Sequence, residues 1–109
     1  MIENILGSKN KERALFYIEA RNEGYAREIA KFYRVSLSPL QEQLDKLEIG
    51  GILVSRKAGK TILYSFNPRF AFLKELKQLI EKAMSFLPET EKETLCNNRK
   101  RPRRKNKPL

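Results

Sequence analysis

The stretch SPLQEQLDKLEIGGILVSRKAGKTILYSF, residues 38–66, changes its hydrophobic period halfway along and so indicates the fold. Leu40, Leu44 and Leu47 recur at intervals of four and three residues, which is typical of the buried face of a helix. After Gly50-Gly51, side chains of opposite character alternate on both sides of a basic segment that contains a glycine, which is typical of a hairpin. The stretch therefore predicts a helix that leads directly into a β-hairpin.

Three more helical segments are predicted before this stretch. A short apolar segment, residues 1–6, is followed by Ser8, which is placed to cap a helix that ends at about Arg21. Residues 22–24, Asn-Glu-Gly, predict a turn. A further helix is predicted over about 26–33.

The helix within the quoted stretch is separated from its predecessor by a tight connection, Arg34-Val35-Ser36. Residues 38–41, Ser-Pro-Leu-Gln, match a capping box with proline at the first helical position. The helix is therefore predicted to span about 38–48, with Ser36 as the alternative cap.

The last predicted helix runs from about Phe70 to Phe86 or Leu87, and Pro88 ends it. Its apolar stripe is wider than one small domain needs to cover, so we expect part of it to form a dimer interface. The residues predicted for that interface are Phe72, Leu76, Leu79, Ile80, Ala83 and Phe86.

Several motifs mark the junctions of these elements: Arg27-Glu28-Ile29-Ala30, then Val35-Ser36, then residues 44–53 and the hairpin 55–64. Together they resemble the winged helix-turn-helix regulators of the arsenical-repressor type, over roughly residues 5–86. The resemblance implies a mainly α fold with a small β-hairpin wing (α+β) and a C-terminal dimerisation helix. It also implies the function of a sequence-specific, double-stranded DNA-binding transcriptional regulator.

A second similarity concerns Asn67-Pro68-Arg69 and the helix that follows it. These residues resemble one branch of that family, in which the module is often fused or adjacent to a small nucleotidyltransferase domain. No such catalytic domain is present in this sequence. The resemblance makes a separately encoded nucleotidyltransferase a candidate partner.

The predicted DNA contacts lie on the helix over about 38–48 and on the hairpin over 52–66. The major groove of B-DNA admits one α-helix, and a hairpin beside it would meet the backbone or the minor groove. Gln41 and Gln43 suit adenine, and Ser36 and Ser38 suit phosphate. The full predicted set is Ser36, Ser38, Pro39, Gln41, Glu42, Gln43, Lys46, Arg56, Lys57 and Lys60.

The formal net charge of +10 is concentrated at the C-terminal end. Seven basic residues and no acid fall within residues 99–109, whereas the preceding 98 residues hold 16 basic and 13 acidic ones. We therefore expect a folded domain over 1–88 and a disordered tail over 89–109 that contacts nucleic acid nonspecifically. The tail residues predicted to make these contacts are Arg99, Lys100, Arg101, Arg103, Arg104 and Lys105.

Two features depart from the family pattern. The predicted recognition helix holds Glu42, Asp45 and Glu48 against one lysine, Lys46, and negative charge facing phosphates is unfavourable. This favours an alternative, a module that docks a nucleotidyltransferase or other partner and binds nucleic acid weakly through its tail. Arg34 stands where the family usually carries glycine. A positive φ there would cost about 1 kcal/mol, so a differently built turn is also open.

The residue types present limit the remaining function classes. Histidine is absent and Cys96 is the sole cysteine, which excludes an intrachain disulfide and the usual structural zinc sites and fits a reducing compartment. No residues are placed for acid–base or nucleophilic catalysis, so neither enzyme activity nor a metal or other cofactor is expected. No stretch approaches the about 20 apolar residues of a membrane span. We expect a cytoplasmic, nucleoid-associated prokaryotic protein without a membrane partner.

Overall fold

Six helices and three strands make up residues 1–96, the part of the chain that the computed structural model describes. A helical layer packs against one face of a small antiparallel sheet, and a hairpin extends from it, so the chain has the predicted winged helix-turn-helix fold. The elements in chain order are α1 (Glu3–Leu6), α2 (Lys9–Arg21), β1 (Glu23–Gly24), α3 (Ala26–Tyr33), α4 (Leu37–Ile49), β2 (Leu53–Ala58), β3 (Thr61–Phe66), α5 (Leu73–Met84) and α6 (Glu89–Cys96).

Helix α2 lies at the centre of the fold. Its start is the predicted one, because the Ser8 hydroxyl accepts a hydrogen bond from the backbone N–H of Lys11 at 3.0 Å. Five consecutive residues, 14–18, are buried, which a helix with a single apolar face cannot achieve. The helix is covered on several sides, by the other five helices and by β1.

The turn between α3 and α4 contains Arg34 in the left-handed conformation, with φ 58° and ψ 47°. The position therefore keeps the geometry that favours glycine, although it holds a side chain, at a cost of about 1 kcal/mol. The backbone N–H of Val35 donates to the Ala30 carbonyl at 3.0 Å, which closes the end of α3.

The predicted capping box at Ser38 is wrong. Helix α4 begins at Leu37, one residue earlier than predicted, and Ser36 is its N-cap but makes no side-chain capping hydrogen bond. Pro39 is the third helical residue, where its missing N–H costs nothing because the first-turn N–H groups have no partner within the helix. Leu37 joins the partly buried residues that pack against the core, which accounts for the earlier start.

The sheet has the order β1-β3-β2, and its outer strand β1 is absent from the sequence prediction. The prediction assigned these residues to a turn, because two residues show no periodicity. In β1, Gly24 pairs with Tyr64 and is buried. A Cβ at Gly24 would lie 2.8 Å from the Tyr17 ring and 3.3 Å from Ile29 Cδ1. Glycine is therefore required here by close packing, not by a turn.

The prediction of a disordered tail from residue 89 is wrong for residues 89–96. These form α6, in which Leu95 is only 2% exposed, so the fold extends beyond the predicted boundary at 88. Arg21 secures the end of α6: its Nε donates to the Leu95 carbonyl at 2.9 Å and its Nη2 to the Thr94 carbonyl at 3.0 Å. Its guanidinium also lies 4.7 Å from the Tyr17 ring centre. The sequence prediction missed α6 because one apolar residue in a polar segment gives no periodic signal.

Helix α6 gives a direct test of this boundary. We expect Leu95→Ala to lower the free energy of unfolding of the full chain by about 2–4 kcal/mol, because it leaves a cavity in the core. The measurement is urea denaturation followed by circular dichroism. The control is Thr94→Ala, at an exposed neighbour, which should change stability by about 0.5 kcal/mol or less. Equal effects of the two substitutions would contradict the packing of α6.

Candidate nucleic-acid interface

One face of α4 is left uncovered beside the hairpin. Leu40, Leu44 and Leu47 are buried as predicted, and this fixes the opposite face of the helix toward the outside. Four of the predicted DNA contacts on that helix are exposed and Gln43 is half-buried. The exposed ones are Ser38, Pro39, Glu42 and Lys46.

Gln41 has a different environment from the one predicted for a base contact. Its amide nitrogen donates to the Tyr64 hydroxyl at 2.9 Å and to Asp45 Oδ1 at 3.0 Å. The Tyr64 hydroxyl in turn donates to Asp45 Oδ1 at 3.3 Å. An adenine contact needs a free amide N–H, so Gln41 here connects α4 to β3 and is not poised to contact a base.

The three residues Gln41, Asp45 and Tyr64 form what we call the helix–hairpin triad. Burial raises the pKa of Tyr64, the hydrogen bond from Gln41 opposes this shift, and the Asp45 carboxylate adds to it. The hydroxyl therefore stays protonated at neutral pH and remains a donor to Asp45. The triad sets the position of the hairpin relative to α4.

A second polar contact connects the same two elements. The Ser55 hydroxyl donates to Glu48 Oε2 at 2.7 Å. Two of the three acidic side chains on α4, Asp45 and Glu48, are therefore turned toward the hairpin. Glu42, the third acidic residue of α4, is exposed and has no such contact to residues 53–66 of the hairpin.

The basic residues of the hairpin do not share one face. Side chains alternate along a strand, and Lys57 lies on the same face as Ser55, the face that meets α4. Arg56 lies on the other face, where its Nη2 contacts Glu23 Oε1 of β1 at 3.0 Å. Lys60 lies in the two-residue turn, next to Gly59 with φ 63°. Lys57 and Lys60 thus remain near α4, whereas Arg56 is paired on the far side.

A cleft between the start of α3, the start of α4 and the hairpin tip adds a residue that the sequence analysis did not assign to the site. It has a volume of about 210 Å³, and its lining includes Arg27 and Lys60 but no acidic side chain. Arg27 appeared only as part of a family motif. Its exposure near the hairpin depends on how α3 packs, and no local pattern shows that. The other polar side chains of the lining are Tyr25, Gln41, Thr61 and Tyr64.

The residues predicted for a dimer interface fall into two groups. Ile80 and Ala83 are buried in the core of the single chain, and Leu76 packs against that core, so the prediction is wrong in offering Ile80 and Ala83 as surface. Phe72 and Phe86 are 67% and 68% exposed. Leu79, midway between them in sequence, is half-buried. A helix with one apolar stripe can divide it between the core and the surface in this way.

Three further observations bound the site. The predicted tail contacts from Arg99 to Lys105 lie outside the described residues. Within residues 1–96, no three acidic, histidine or cysteine side chains are grouped so that they could hold a metal ion. The helices described over the same range are all too short or too polar to cross a membrane.

No family model and no curated protein matches this chain. A solved structure of ZitR from Lactococcus lactis, a cysteine and histidine double mutant in the apo form, is similar in fold. The TM-score is 0.54 at 19% sequence identity, and the match covers 86% of each chain. At this identity the likeness concerns the fold, and it agrees with the winged helix-turn-helix architecture described above.

The helix–hairpin triad leads to a stability prediction. We expect Tyr64→Phe to lower the free energy of unfolding by about 1 kcal/mol, because Gln41 and Asp45 lose the hydroxyl of a buried tyrosine as a hydrogen-bond partner. A double-mutant cycle with Gln41→Ala should give a coupling energy of about 0.5–1.5 kcal/mol by urea denaturation. Tyr25→Phe is the matched control, since its hydroxyl lies outside the triad. Additive effects of Tyr64→Phe and Gln41→Ala would mean that the hydrogen bond between Gln41 and Tyr64 is not formed.

Proposed function

We propose that this chain is a sequence-specific, double-stranded DNA-binding regulator of transcription, with a binding and not a catalytic function. Helix α4 enters the major groove, and the hairpin meets the backbone or the minor groove. The resemblance of the sequence motifs to regulators of the arsenical-repressor type supports this assignment. So does the helix-turn-helix architecture, in which the second helix is the one that contacts bases.

The observation on which the proposal rests is the uncovered face of α4 beside a basic hairpin. The leucines of α4 fix the helix to the core, and the triad and the Glu48–Ser55 contact fix it to the hairpin. A rigid helix with its outer face free is suited to a groove, because little conformational entropy is lost on binding. Asp45 and Glu48 stay exposed, but each carboxylate accepts a hydrogen bond from the hairpin, which partly offsets the negative charge of that face.

The contacts within this site have different roles. Arg27, Lys57 and Lys60 supply the positive charge for phosphates, near the starts of α3 and α4 and on the α4 side of the hairpin. Glu42 is suited to accept from cytosine N4, and Gln43 and Lys46 to contact other base edges. Ser36 and Ser38 contact phosphate near the helix start. The basic residues after 98 add nonspecific contacts.

Salt dependence tests where the DNA contacts lie. We expect the triple variant Arg27→Gln, Lys57→Gln and Lys60→Gln to bind a random duplex pool more weakly than the native chain. The slope of the logarithm of its binding constant against the logarithm of the salt concentration should be less steep by about 0.9 for each lost phosphate contact. Arg56→Gln should have a smaller effect, because Arg56 is paired with Glu23. The measurement is fluorescence anisotropy at several salt concentrations, with the full chain and a chain that ends at Cys96.

Two comparisons make this test specific. A variant with Lys74→Gln and Lys82→Gln, on the exposed surface of α5, loses positive charge away from the site. Its DNA binding should keep most of the salt dependence of the native chain. Undiminished binding by the triple variant would overturn the hairpin assignment. Loss of all binding in the chain that ends at Cys96 would overturn the role of the folded domain in DNA binding.

We further propose that the chain acts as a homodimer through the exposed apolar side chains along α5. A dimer presents two recognition helices about 34 Å apart, one turn of the duplex. Phe72 and Phe86 are too exposed to stabilise the single chain substantially, and Leu79 lies between them in sequence. Large exposed aromatic side chains are typical of interfaces.

This dimer interface can be tested without DNA. We expect Phe72→Ser with Phe86→Ser to shift the native chain from dimer to monomer in sedimentation equilibrium, because the interface loses its largest apolar contacts. Ile49→Ser is the matched control, an 86% exposed apolar residue at the end of α4 that should leave the dimer intact. A native chain that is monomeric at micromolar concentration would refute the interface.

The exposed phenylalanines also favour a second candidate function, that of a module that docks a protein partner such as a nucleotidyltransferase. In that case α5 binds the partner, and the chain binds DNA only through its basic tail. The same anisotropy experiment separates the two functions. Salt-sensitive binding by the chain that ends at Cys96 favours DNA recognition, and its absence favours partner docking.

A further inference from the structure

A cavity of about 460 Å³ lies against α2, and none of the residues that line it comes from the hairpin. It is bounded by the N-terminus, α2, the end of α3, the segment that joins α5 to α6, and α6 itself. None of its lining residues belongs to the cleft beside the hairpin. The cavity is therefore separate from the candidate nucleic-acid interface.

The apolar part of the lining comes from residues that are firmly held. Phe16 and Leu95 are 4% and 2% exposed, and they come from α2 and α6. Phe32 of α3 packs edge-to-face against Tyr17 and Tyr33, with ring centres 5.5 and 4.8 Å apart. Aromatic rings fixed in this way form a preformed wall for a flat apolar molecule.

Tyr33 is the residue in this lining with an unmet polar group. Its hydroxyl oxygen is buried and has no hydrogen-bond partner among residues 1–96. Burial raises the pKa of Tyr33, and the negative charges of Glu91 and Glu12 raise it further, so the hydroxyl is a neutral donor at physiological pH. A buried donor without an acceptor is costly, and a ligand that supplies the acceptor would remove that cost.

The charges around the cavity favour an anionic acceptor. Glu12 is itself buried, and its carboxylate pairs with Lys9 at 3.1 Å and with the N-terminal amine at 3.2 Å, two cations that also contact the Glu3 carboxylate. Arg13 adds a further positive charge to the lining, and Glu91 adds an exposed negative one. With Glu3 counted, three cations face three anions around the cavity, and Arg13 is the cation that has no carboxylate partner among residues 1–96.

From this combination we infer that the cavity is a binding site for a small aromatic carboxylate. The ring packs between Phe16, Phe32 and Leu95. The carboxylate accepts from the Tyr33 hydroxyl and pairs with Arg13. The site adjoins the first helix of the helix-turn-helix, since Tyr33 directly precedes the left-handed Arg34.

The experiment uses the full chain without nucleic acid, so failure of this inference leaves the proposed DNA binding untouched. The probes are benzoate and indole-3-carboxylate, and the comparison compounds are benzamide and benzylamine, which keep the phenyl ring of benzoate and change its charge. We expect saturable binding of the carboxylates with a Kd of about 1 mM or tighter. In ¹H–¹⁵N correlation spectra the shifts should fall on the cavity residues and not on the outer face of α4.

Variants of the lining separate this site from weak surface binding. Tyr33→Phe should raise the thermal unfolding midpoint of the free protein by about 4 °C, since it removes an unpaired hydroxyl. The same substitution should weaken the binding of benzoate by about 10-fold. Arg13→Gln should remove the preference for benzoate over benzamide. Glu91→Gln should strengthen the binding of benzoate by about threefold, because it removes a negative charge from the lining. Tyr25→Phe, in the other cleft, is the control and should leave the Kd unchanged.

Three results would overturn the inference. One is the absence of saturable binding by either carboxylate. Another is a preference for benzylamine, which would mean that Glu12 and Glu91 determine the charge of the ligand. The third is carboxylate binding that Tyr33→Phe and Arg13→Gln leave unchanged, which would place the ligand elsewhere on the protein.

Discussion

The burial of α2 is the constraint on which the other elements depend. Residues 14–18 are buried on successive sides of the helix, so elements from both ends of the chain must pack around it. Gly24 illustrates how closely they do so, because its backbone leaves no room for a Cβ beside the Tyr17 ring. Each apolar residue removed from water here stabilises the fold, and the helices that provide the partners have little freedom in where they lie.

Around this apolar centre, a few polar contacts determine the relative positions of α4, the hairpin and α6. The helix–hairpin triad and the Glu48–Ser55 contact connect α4 to the sheet. Arg21 connects the end of α6 to α2 through two backbone carbonyls. Hydrogen bonds are directional in a way that apolar packing is not, and these contacts therefore fix geometry more than they add stability.

The same contacts change the electrostatic character of α4. By composition the helix is acidic, which argues against an approach to phosphate. In the structure, Asp45 and Glu48 accept hydrogen bonds from β3 and β2, and the cations Arg27, Lys57 and Lys60 lie near the helix or the cleft at its start. Both carboxylates stay exposed, and what the tertiary structure adds to the charge count of α4 is their hydrogen bonds to the hairpin and the cations beside them. The second cavity, against α2, is lined by charged and aromatic side chains as well.

The sequence by itself determined the order of the main elements and the fold class. The three leucines of α4, the alternation in the hairpin and the Ser8 cap are local patterns, and each follows from the geometry of one helix or strand.

Tertiary structure alone decided the rest. The two-residue strand β1 and the helix α6 exist because Gly24 and Leu95 meet α2, and a single buried residue leaves no periodic trace. The role of Gln41, the pairing of Arg56 and the burial of Ile80 and Ala83 likewise depend on residues distant in sequence. Such contacts form only when packing brings separate elements together, so no local pattern encodes them.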